Sequence, residues 1–254
     1  MVAVETGLKA VVIDLYDTLV SWNPHALPTI ERHGREIRST APLLFPELES
    51  ALGARFDREA FMEAHDSVAG EIMAERLGDN PIEITCLERF SRTLKRGGIP
   101  VADAQALAGR LRSIHMGRIR DVTHAPPERV AAIKKVAEHY RVGLISNFDD
   151  AETGDLIVRD TGIHELFETV IISADTGLRK PHPQIFRIAL DRMKLAPHEV
   201  LYVGDTPYDD VLGSKRAGMH SAWIRRRDRD FPEGLPAPDL IISDLSELPE
   251  KLGL

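Results

Sequence analysis

The sequence predicts an α/β protein: a doubly wound parallel sheet that carries an inserted helical domain. Short, continuous apolar runs such as Ala10 to Ile13 and Val142 to Ile145 are typical of parallel strands that are buried on both faces. From residue 126 onward such runs alternate with helical patterns, as strands and crossover helices do in a parallel sheet. Between the first strand and that region the apolar spacing is helical only, which indicates an insert.

The elements can be placed in chain order. The first strand ends at Asp14, and the segment that follows has apolar residues at three- and four-residue spacing. Helices are expected over Pro28 to Arg38, Asp57 to Arg76, Ile82 to Lys95 and Asp103 to Arg120, and then over Glu128 to Tyr140. Further strands are expected at Val142 to Ile145, Val170 to Ser173, Val200 to Val203, Ser221 to Ile224 and Leu240 to Ile242. We therefore predict an α/β core of residues 1–20 and 125–254 and an all-helical cap of residues 21–124.

Composition limits the functions to consider. The 254 residues carry a net charge of −8, so we expect no general attraction to nucleic acid or to an anionic membrane. No stretch approaches the ~20 apolar residues of a membrane span. The single cysteine, Cys86, excludes an intrachain disulfide and fits a reducing cytoplasm. We expect a cytoplasmic monomer or homodimer that acts on a small molecule, and we interpret the arginine run 225–227 as solvated surface.

Polar side chains follow the predicted strands at the edge where open α/β sheets bind ligands. Asp14 ends the first strand and begins the sequence DLYDT, residues 14–18. Ser146 and Asn147 follow the strand at Val142 to Ile145. Taken alone, each of these residues is explained at least as well by a turn or a helix cap.

Two further segments carry charged residues at predicted strand or helix ends. Lys180 comes just before a proline-stiffened helix start in the sequence RKPHPQIF. Gly204 and Asp205 follow an apolar strand, and Asp209 and Asp210 come shortly after them. Carboxylates in such a place either cap the next helix or hold a hard cation through oxygen ligands. Because a candidate nucleophile, a hydroxyl donor, a cation and acids occur in order, the four segments together indicate one site.

These four segments, in this order, resemble the motifs of the haloacid dehalogenase superfamily. The resemblance spans residues 8–20 and 128–245 and includes the pair Ala217-Gly218, which follows the last acidic motif in many members. The helical insert after the first motif resembles the cap of the superfamily's first subclass. The resemblance implies a Rossmann-like core, hydrolase activity and a Mg²⁺ cofactor.

The resemblance also implies which residues hold the nucleophile and the metal. Asp14 would attack the substrate and form a covalent aspartyl intermediate. Mg²⁺ would be bound by Asp14, the backbone carbonyl of Tyr16 and Asp205. Asp210, rather than its neighbour Asp209, would support this metal from behind its direct ligands or through water.

The remaining motif residues would contact the substrate. Ser146 would donate a hydrogen bond to a phosphoryl oxygen, and Asn147 would line the same pocket. Lys180 would neutralise charge on the nucleophile and on the transferring group. Thr18 would position the loop after the nucleophile, within the substrate-binding region.

Position 16 departs from the pattern of phosphatases in this superfamily. They usually have an aspartate two residues after the nucleophile, where it protonates the leaving oxygen and later activates water, whereas this chain has Tyr16. Loss of a positioned acid or base typically costs on the order of 10² to 10⁴ in rate. Asp17 is a poor substitute because adjacent side chains of an extended segment point in opposite directions.

Three functions are therefore considered. A Mg²⁺-dependent phosphatase for a small phosphorylated metabolite is favoured by the intact Gly204-Asp205 pair and the acids after it. A metal-independent 2-haloacid dehalogenase, with an ester intermediate at Asp14, is the alternative that Tyr16 suggests, although the cap arginine motif of those enzymes is not evident in residues 35–60. The third function is noncatalytic binding of a phosphorylated ligand or a protein partner.

Overall fold

The computed structural model describes residues 7–78, 81–99, 101–226 and 230–254. Its contacts divide the chain into two units. The first comprises the described residues of Met1–Ser21, Gly78–Glu83 and His124–Leu254, and the second those of Trp22–Leu77 and Ile84–Thr123. The first unit is thus assembled from three stretches of chain.

Strands occur in both units. They are β1 (Ala10–Ile13), β2 (Ser21–Trp22), β3 (Thr29–Arg32), β4 (Arg35–Arg38), β5 (Thr123–His124), β6 (Arg141–Ser146), β7 (Phe167–Ile172), β8 (Val200–Gly204), β9 (His220–Ile224) and β10 (Leu240–Ile242). Six of them form a parallel sheet in the order β10-β9-β8-β1-β6-β7. The other four form two-stranded pairs, β2 with β5 and β3 with β4. The predicted doubly wound parallel sheet is confirmed.

Helices connect these strands. They are α1 (Ala41–Leu52), α2 (Arg58–Glu75), α3 (Cys86–Arg96), α4 (Val101–Asp121), α5 (Pro127–Ala137), α6 (Ala151–Asp160), α7 (Ser173–Thr176), α8 (Pro183–Met193), α9 (Gly213–Arg216) and α10 (Leu248–Lys251). A π-helical stretch, Pro207–Leu212, comes directly before α9. Within the described part of the chain, none of the helices combines the length and the apolar character that a membrane crossing requires.

The position of β1 in the sheet explains its sequence. β1 lies between β6 and β8, and its four residues are fully buried. Because side chains alternate along a strand, Val11 and Ile13 pack on one face with α5 and α6, while Ala10 and Val12 pack on the other with α8. An aliphatic run on both faces is what a central parallel strand needs, and it places the next residue, Asp14, at the carboxyl edge of the sheet.

The second unit differs from the expected all-helical insert near its start. The segment Pro28 to Arg38, predicted to be a helix, forms the antiparallel hairpin of β3 and β4, with Ile30 opposite Ile37. The turn residues His33 and Gly34 have positive φ angles of 50° and 71°, as in a two-residue type I′ turn. A right-handed helix cannot contain these conformations, so the helical prediction was wrong here. The His-Gly pair, with Ile30 three residues before it and Ile37 three residues after it, was the missed turn pattern.

Two helices of the second unit also differ from the prediction. α1 was not predicted, and it contains Pro46, a residue that usually argues against a helix. α3 begins at Cys86 rather than at Ile82, because Thr85 caps it by accepting a hydrogen bond from the Glu88 N–H at 3.2 Å. Ile82 instead forms an antiparallel bridge with Leu178, within the first unit.

Candidate active site

The first unit has a cavity of about 230 Å³ at the carboxyl ends of its central strands. Its lining residues are Asp14, Tyr16, Asp17, Ser146, Asn147, Arg179, Lys180, Asp205, Thr206, Asp209 and Asp210. The cavity thus brings together all the predicted site residues except Thr18. Five of the lining residues are aspartates and two are cationic, so acidic groups are in excess.

Lys180 is buried at the centre of this cluster. Its Nζ lies 2.6 Å from Asp14 Oδ1 and 2.7 Å from Asp210 Oδ1. The same atom lies 2.9 Å from the Tyr202 hydroxyl and 3.2 Å from the backbone carbonyl of Ile145. An unpaired charge is strongly disfavoured in a protein interior, and these partners satisfy the ammonium. Lys180 therefore links the ends of β1, β6 and β8 to the segment before α8.

Tyr202 was not among the predicted site residues. It is fully buried in β8, and its ring packs edge to face on Phe186 with 5.1 Å between centroids. Its hydroxyl lies beside Lys180 and 3.3 Å from Asp210 Oδ1. A polar aromatic residue in the otherwise aliphatic strand VLYVG was the sequence feature that could have identified it.

The end of β6 supplies Ser146 and Asn147. Ser146 is buried and lines the cavity. The side chain of Asn147 accepts a hydrogen bond from the Lys180 N–H at 2.7 Å and donates to the Lys180 carbonyl at 3.0 Å. It also donates to Asp209 Oδ2 at 3.1 Å. Asn147 therefore fixes the backbone of Lys180 as well as lining the cavity.

Gly204 is required by the position of Asp210. A Cβ atom at residue 204 would overlap the Asp210 carboxyl group. One oxygen of that group, Oδ2, accepts a hydrogen bond from the Thr206 N–H at 2.8 Å, and the other is bound by Lys180. The π-helical stretch after Thr206 places both Asp209 and Asp210 at the cavity. Asp210 is therefore fully engaged by protein donors, whereas Asp209 contacts Asn147.

Asp205 is held by residues at the end of β9. The indole N–H of Trp223 donates to the Asp205 backbone carbonyl at 2.9 Å. Arg226 Nη1 lies 3.5 Å from Asp205 Oδ2 and forms an ion pair with Asp17. The interpretation of the arginine run as solvated surface is thus incomplete, because Arg226 contacts two cavity residues; Arg227 lies outside the described residues.

Burial, together with the excess of acidic groups, shifts the pKa values of the cluster. Burial raises the pKa of Asp14 to about 8, with Asp210 and Asp205 adding to the rise and Lys180 opposing it. Burial also raises the pKa of Asp205 to about 6, assisted by Asp210 and Asp17. Burial alone would lower the pKa of Lys180, but Asp14 and Asp210 outweigh it and hold that pKa well above its ordinary value.

Three of these acids have the arrangement of a divalent cation site. Carboxylate oxygens of Asp14, Asp205 and Asp210 all lie within 4.8 Å of one another. Mg²⁺ prefers carboxylate oxygen ligands, and a cation here would relieve the repulsion that contributes to the raised pKa values. These residues therefore fit Mg²⁺, with Asp14 and Asp205 the more available ligands because Asp210 is already engaged.

Comparison of the sequence with models of known families identifies its family. The sequence model of the haloacid dehalogenase-like hydrolases matches residues 8–218, which is most of the chain. The chain belongs to this family. The predicted superfamily is confirmed, and it is a family of hydrolases.

Proteins similar to this haloacid dehalogenase-like hydrolase include a nucleotidase, a phosphatase and a dehalogenase. A pyrimidine 5'-nucleotidase of Escherichia coli is 30% identical over 145 residues, which cover 57% of this chain and 64% of that protein. A glyceraldehyde 3-phosphate phosphatase of Pyrococcus furiosus is 30% identical over 143 residues, which cover 54% and 58%. The match thus spans less than two thirds of either relative. The crystal structure of a 2-haloacid dehalogenase from Pseudomonas syringae has a TM-score of 0.72 at 25% identity and covers 97% of this chain and 98% of that one.

Tyr16 lies in this hydrolase where an aspartate was expected for a phosphatase. Its ring is stacked on Phe148, with 5.4 Å between centroids and 23° between planes. Tyr16 lines the cavity, whereas Phe148 follows Asn147 and supports the ring. Phe148 was not predicted, because an aromatic residue after a strand end is usually part of the core.

Thr18 differs from its predicted place in the substrate-binding region. It is fully buried and is absent from the residues that line the cavity. Among the described residues its hydroxyl oxygen has no hydrogen-bond partner. Because a side chain without exposed surface cannot touch a ligand in this conformation, Thr18 fits only the positioning part of its predicted role.

Asp14→Asn is expected to make the stability of the metal-free hydrolase less sensitive to pH. The folded chain keeps the Asp14 proton up to about pH 8, whereas the ordinary pKa is 3.8. The native state therefore binds more protons across this window, so its stability falls as pH rises from about 4 to about 8, by up to about 1.4 kcal/mol per pH unit. Asparagine has no such proton to lose, and Asp14→Asn should gain stability relative to wild type as pH rises.

The measurement is urea unfolding with EDTA at about pH 5 and about pH 8. Asp191→Asn, which changes an exposed aspartate of the same unit, should follow the wild-type pH dependence. An Asp14→Asn curve parallel to wild type would show that Asp14 is ionised throughout and contradict the raised pKa.

Proposed function

We propose that this hydrolase is a Mg²⁺-dependent phosphatase that acts on a small phosphorylated metabolite through a covalent phosphoaspartyl intermediate at Asp14. The observation that carries the proposal is the convergence of Asp14, Asp205 and Asp210 within 4.8 Å, while one buried lysine neutralises the cluster in part. An anionic phosphoryl group can approach so many acids only if further positive charge is present. The curated relatives named as a nucleotidase and a phosphatase support the same class.

The proposed reaction has two steps at Asp14. In the first, a carboxylate oxygen of Asp14 forms a bond to phosphorus while the bond from phosphorus to the leaving oxygen breaks. Because Lys180 binds Oδ1, Oδ2 is the oxygen available for attack. In the second step the oxygen of a water molecule forms a bond to phosphorus while the bond from Asp14 to phosphorus breaks. Inorganic phosphate is released, Asp14 returns to a carboxylate and the proton lost by the water passes to the phosphate or to solvent. A difficult displacement is thereby divided into two easier ones.

The residues around Asp14 would stabilise the charge that moves in these steps. Lys180 would neutralise the nucleophile and the transferring group from its fixed position. Ser146 would donate a hydrogen bond from its hydroxyl group to a phosphoryl oxygen. A bound Mg²⁺, held by Asp14, Asp205 and the backbone carbonyl of Tyr16, would screen the repulsion between the carboxylate and the phosphoryl oxygens.

Tyr16 limits which leaving groups this mechanism can expel. A phenol is a weaker acid than a carboxylic acid, and the Tyr16 ring is stacked on Phe148 rather than free to move. It is therefore a poor proton donor for a strongly basic alkoxide. We infer that the preferred substrates have weakly basic leaving groups, as acyl and aryl phosphates have.

A 2-haloacid dehalogenase is the second candidate. Tyr16 favours it, as does the likeness to the Pseudomonas syringae enzyme along the whole chain. In that reaction Asp14 would displace halide from carbon, and water would hydrolyse the resulting ester without any metal. The burial of Asp14 beside other acids weighs against it, because a nucleophile whose pKa is raised to about 8 is mostly protonated at neutral pH unless a cation is bound. Noncatalytic binding of a phosphorylated ligand or protein is the third candidate.

The organisation of the protein around this site is also part of the proposal. We propose that the second unit, residues 22–77 and 84–123, is the cap that selects the substrate. A cytoplasmic location is supported by the single, buried, free cysteine. The net charge of −8 supports a small-molecule substrate rather than nucleic acid. We propose that the protein acts as a monomer or homodimer.

With Mg²⁺, wild-type protein is expected to hydrolyse acetyl phosphate or p-nitrophenyl phosphate. Asp14→Asn should lower the rate by about a thousandfold or more, because the amide cannot form the covalent intermediate. EDTA should have a similar effect, because the acids would then repel the substrate. The measurement is release of phosphate or nitrophenol, and Asp191→Asn is the matched control that should retain full activity.

The alternatives give different results in the same experiment. Chloride release from 2-chloropropionate without metal, in the absence of Mg²⁺-dependent phosphate release, would replace the phosphatase by a dehalogenase. If neither assay gives turnover that depends on Asp14, the noncatalytic candidate gains support and the proposed reaction is wrong.

Tyr16→Asp is expected to raise the turnover of alkyl phosphates by about 10- to 100-fold, and that of aryl and acyl phosphates much less. The reason is that only the alkoxide leaving group depends strongly on protonation. The measurement compares kcat for ethyl phosphate and p-nitrophenyl phosphate in both proteins. Tyr16→Phe, which keeps the ring stacked on Phe148, is the control and should change neither value. Equal gains for both substrates would contradict the interpretation that Tyr16 stands in the place of a proton-donating acid.

A further inference from the structure

Arg179 lines the cavity and is held by a carboxylate that does not. Its Nη1 donates to both oxygens of Glu83, at 2.9 Å and 3.1 Å. The Glu83 side chain is fully buried, and that of Arg179 is 18% exposed. A charge-assisted pair of this kind holds the Nη1 end of the planar guanidinium beside Glu83.

Glu83 is itself fixed in place by the first unit. Its Oε2 accepts a hydrogen bond from the Ser173 hydroxyl at 2.5 Å, and its backbone N–H donates to the Gly177 carbonyl at 2.9 Å. Ser173 in turn accepts a hydrogen bond from the Phe148 N–H at 2.9 Å. Arg179 is therefore held, through Glu83 and Ser173, by the backbone of Phe148. Phe148 directly follows Asn147, which lines the cavity.

The other cations near the cavity are already engaged by its own acids. Lys180 binds Asp14 and Asp210, and Arg226 pairs with Asp17. Glu83, by contrast, engages only Nη1 of Arg179, which leaves the other N–H groups of the guanidinium for a ligand. Within the described part of the chain, Arg179 is thus the cavity-lining cation whose charge is balanced from outside the cavity.

Arg179 is also more exposed than the reacting groups. Its side chain is 18% exposed, against 9% for Asp14 and 3% for Lys180. Its positive charge reaches Asp209, where it opposes the rise in pKa that burial causes. A substrate whose phosphoryl group is at Asp14 would therefore present a different part of its structure to Arg179.

We propose that Arg179, oriented by Glu83, binds a carboxylate of the substrate, so that the substrate class is phosphorylated carboxylic acids. The planar fork of a guanidinium matches the two oxygens of a carboxylate. Arg179 is then a specificity-determining residue and Glu83 is its positioning residue. The proposal rests on the proposed function only in placing the phosphoryl group at Asp14.

The test measures binding, so it needs no turnover. Two non-hydrolysable ligands, 3-phosphonopropionate and propylphosphonate, have matched chains and differ in one carboxylate. Titration calorimetry with the Mg²⁺-loaded protein should show that wild type binds 3-phosphonopropionate about tenfold more tightly, or more, as one charge-assisted contact would give. The ratio of the two affinities is the readout, because damage to the fold would weaken both ligands alike.

Four variants make the test specific. Arg179→Gln should bring the ratio close to one while leaving the affinity for propylphosphonate within about twofold. Arg179→Lys keeps the charge without the fork and should retain part of the preference. Glu83→Gln should reduce the ratio because it loosens the guanidinium. Arg187→Gln, which removes an exposed arginine of α8, should match wild type.

The proposal is overturned if wild type shows no preference, if neither phosphonate binds, or if Arg179→Gln keeps the wild-type ratio. If Arg179→Gln does not fold, a wild-type ratio in Arg179→Lys overturns the proposal and a reduced ratio supports it. The two proposals fail in different ways. Mg²⁺-dependent turnover at Asp14 without a carboxylate preference would contradict the role of Arg179 alone. A carboxylate preference without turnover would support the role of Arg179 and contradict the phosphatase.

Discussion

The ion pairs of Lys180 are the interaction on which the rest of the site depends. One buried ammonium lies within 2.7 Å of both Asp14 and Asp210, and it reaches them because β8, β1 and β6 are neighbours in the sheet. Those pairs leave at least one negative charge in the cluster uncompensated, since Asp205 is also close. Burial and repulsion together then raise the pKa of Asp14 to about 8. The same surplus that destabilises the metal-free site makes it a favourable place for a divalent cation.

The fold supports this cluster with contacts that have no chemical role of their own. Asn147 holds the backbone of Lys180 on both sides, and the Trp223 indole holds the backbone of Asp205. Gly204 has no side chain because the Asp210 carboxyl group occupies that space. Tyr202 gives the lysine a further partner from within β8. Groups fixed in this way need little rearrangement during a reaction, which is how a preorganised site stabilises moving charge. These residues of the site therefore position the reacting groups and do not react themselves.

The sequence predicted those features that depend on local pattern. Continuous aliphatic runs predicted the central strands, and the polar residues just after them, such as Asp14 and Ser146, were expected at one edge because parallel strands end together. Features that depend on distant contacts were not predictable. Glu83 meets Arg179 across 96 residues, and nothing in its neighbourhood in the sequence marks it as part of the core unit. The β3–β4 hairpin was missed for a local reason: its apolar residues also fit a helical spacing, and the turn conformation at Gly34 decided between them. Thr18 shows that a motif residue can serve the loop rather than the ligand.

In the proposed mechanism Asp14 carries the phosphoryl group between the two steps. Reduction with borohydride during turnover of acetyl phosphate converts an aspartyl phosphate to homoserine, which peptide mass spectrometry locates. We expect homoserine at residue 14, formed only when both Mg²⁺ and the phosphorylated substrate are present, and none at Asp17, Asp205, Asp209 or Asp210. Steady turnover with residue 14 unmodified, or the modification at another aspartate, would contradict the proposed mechanism.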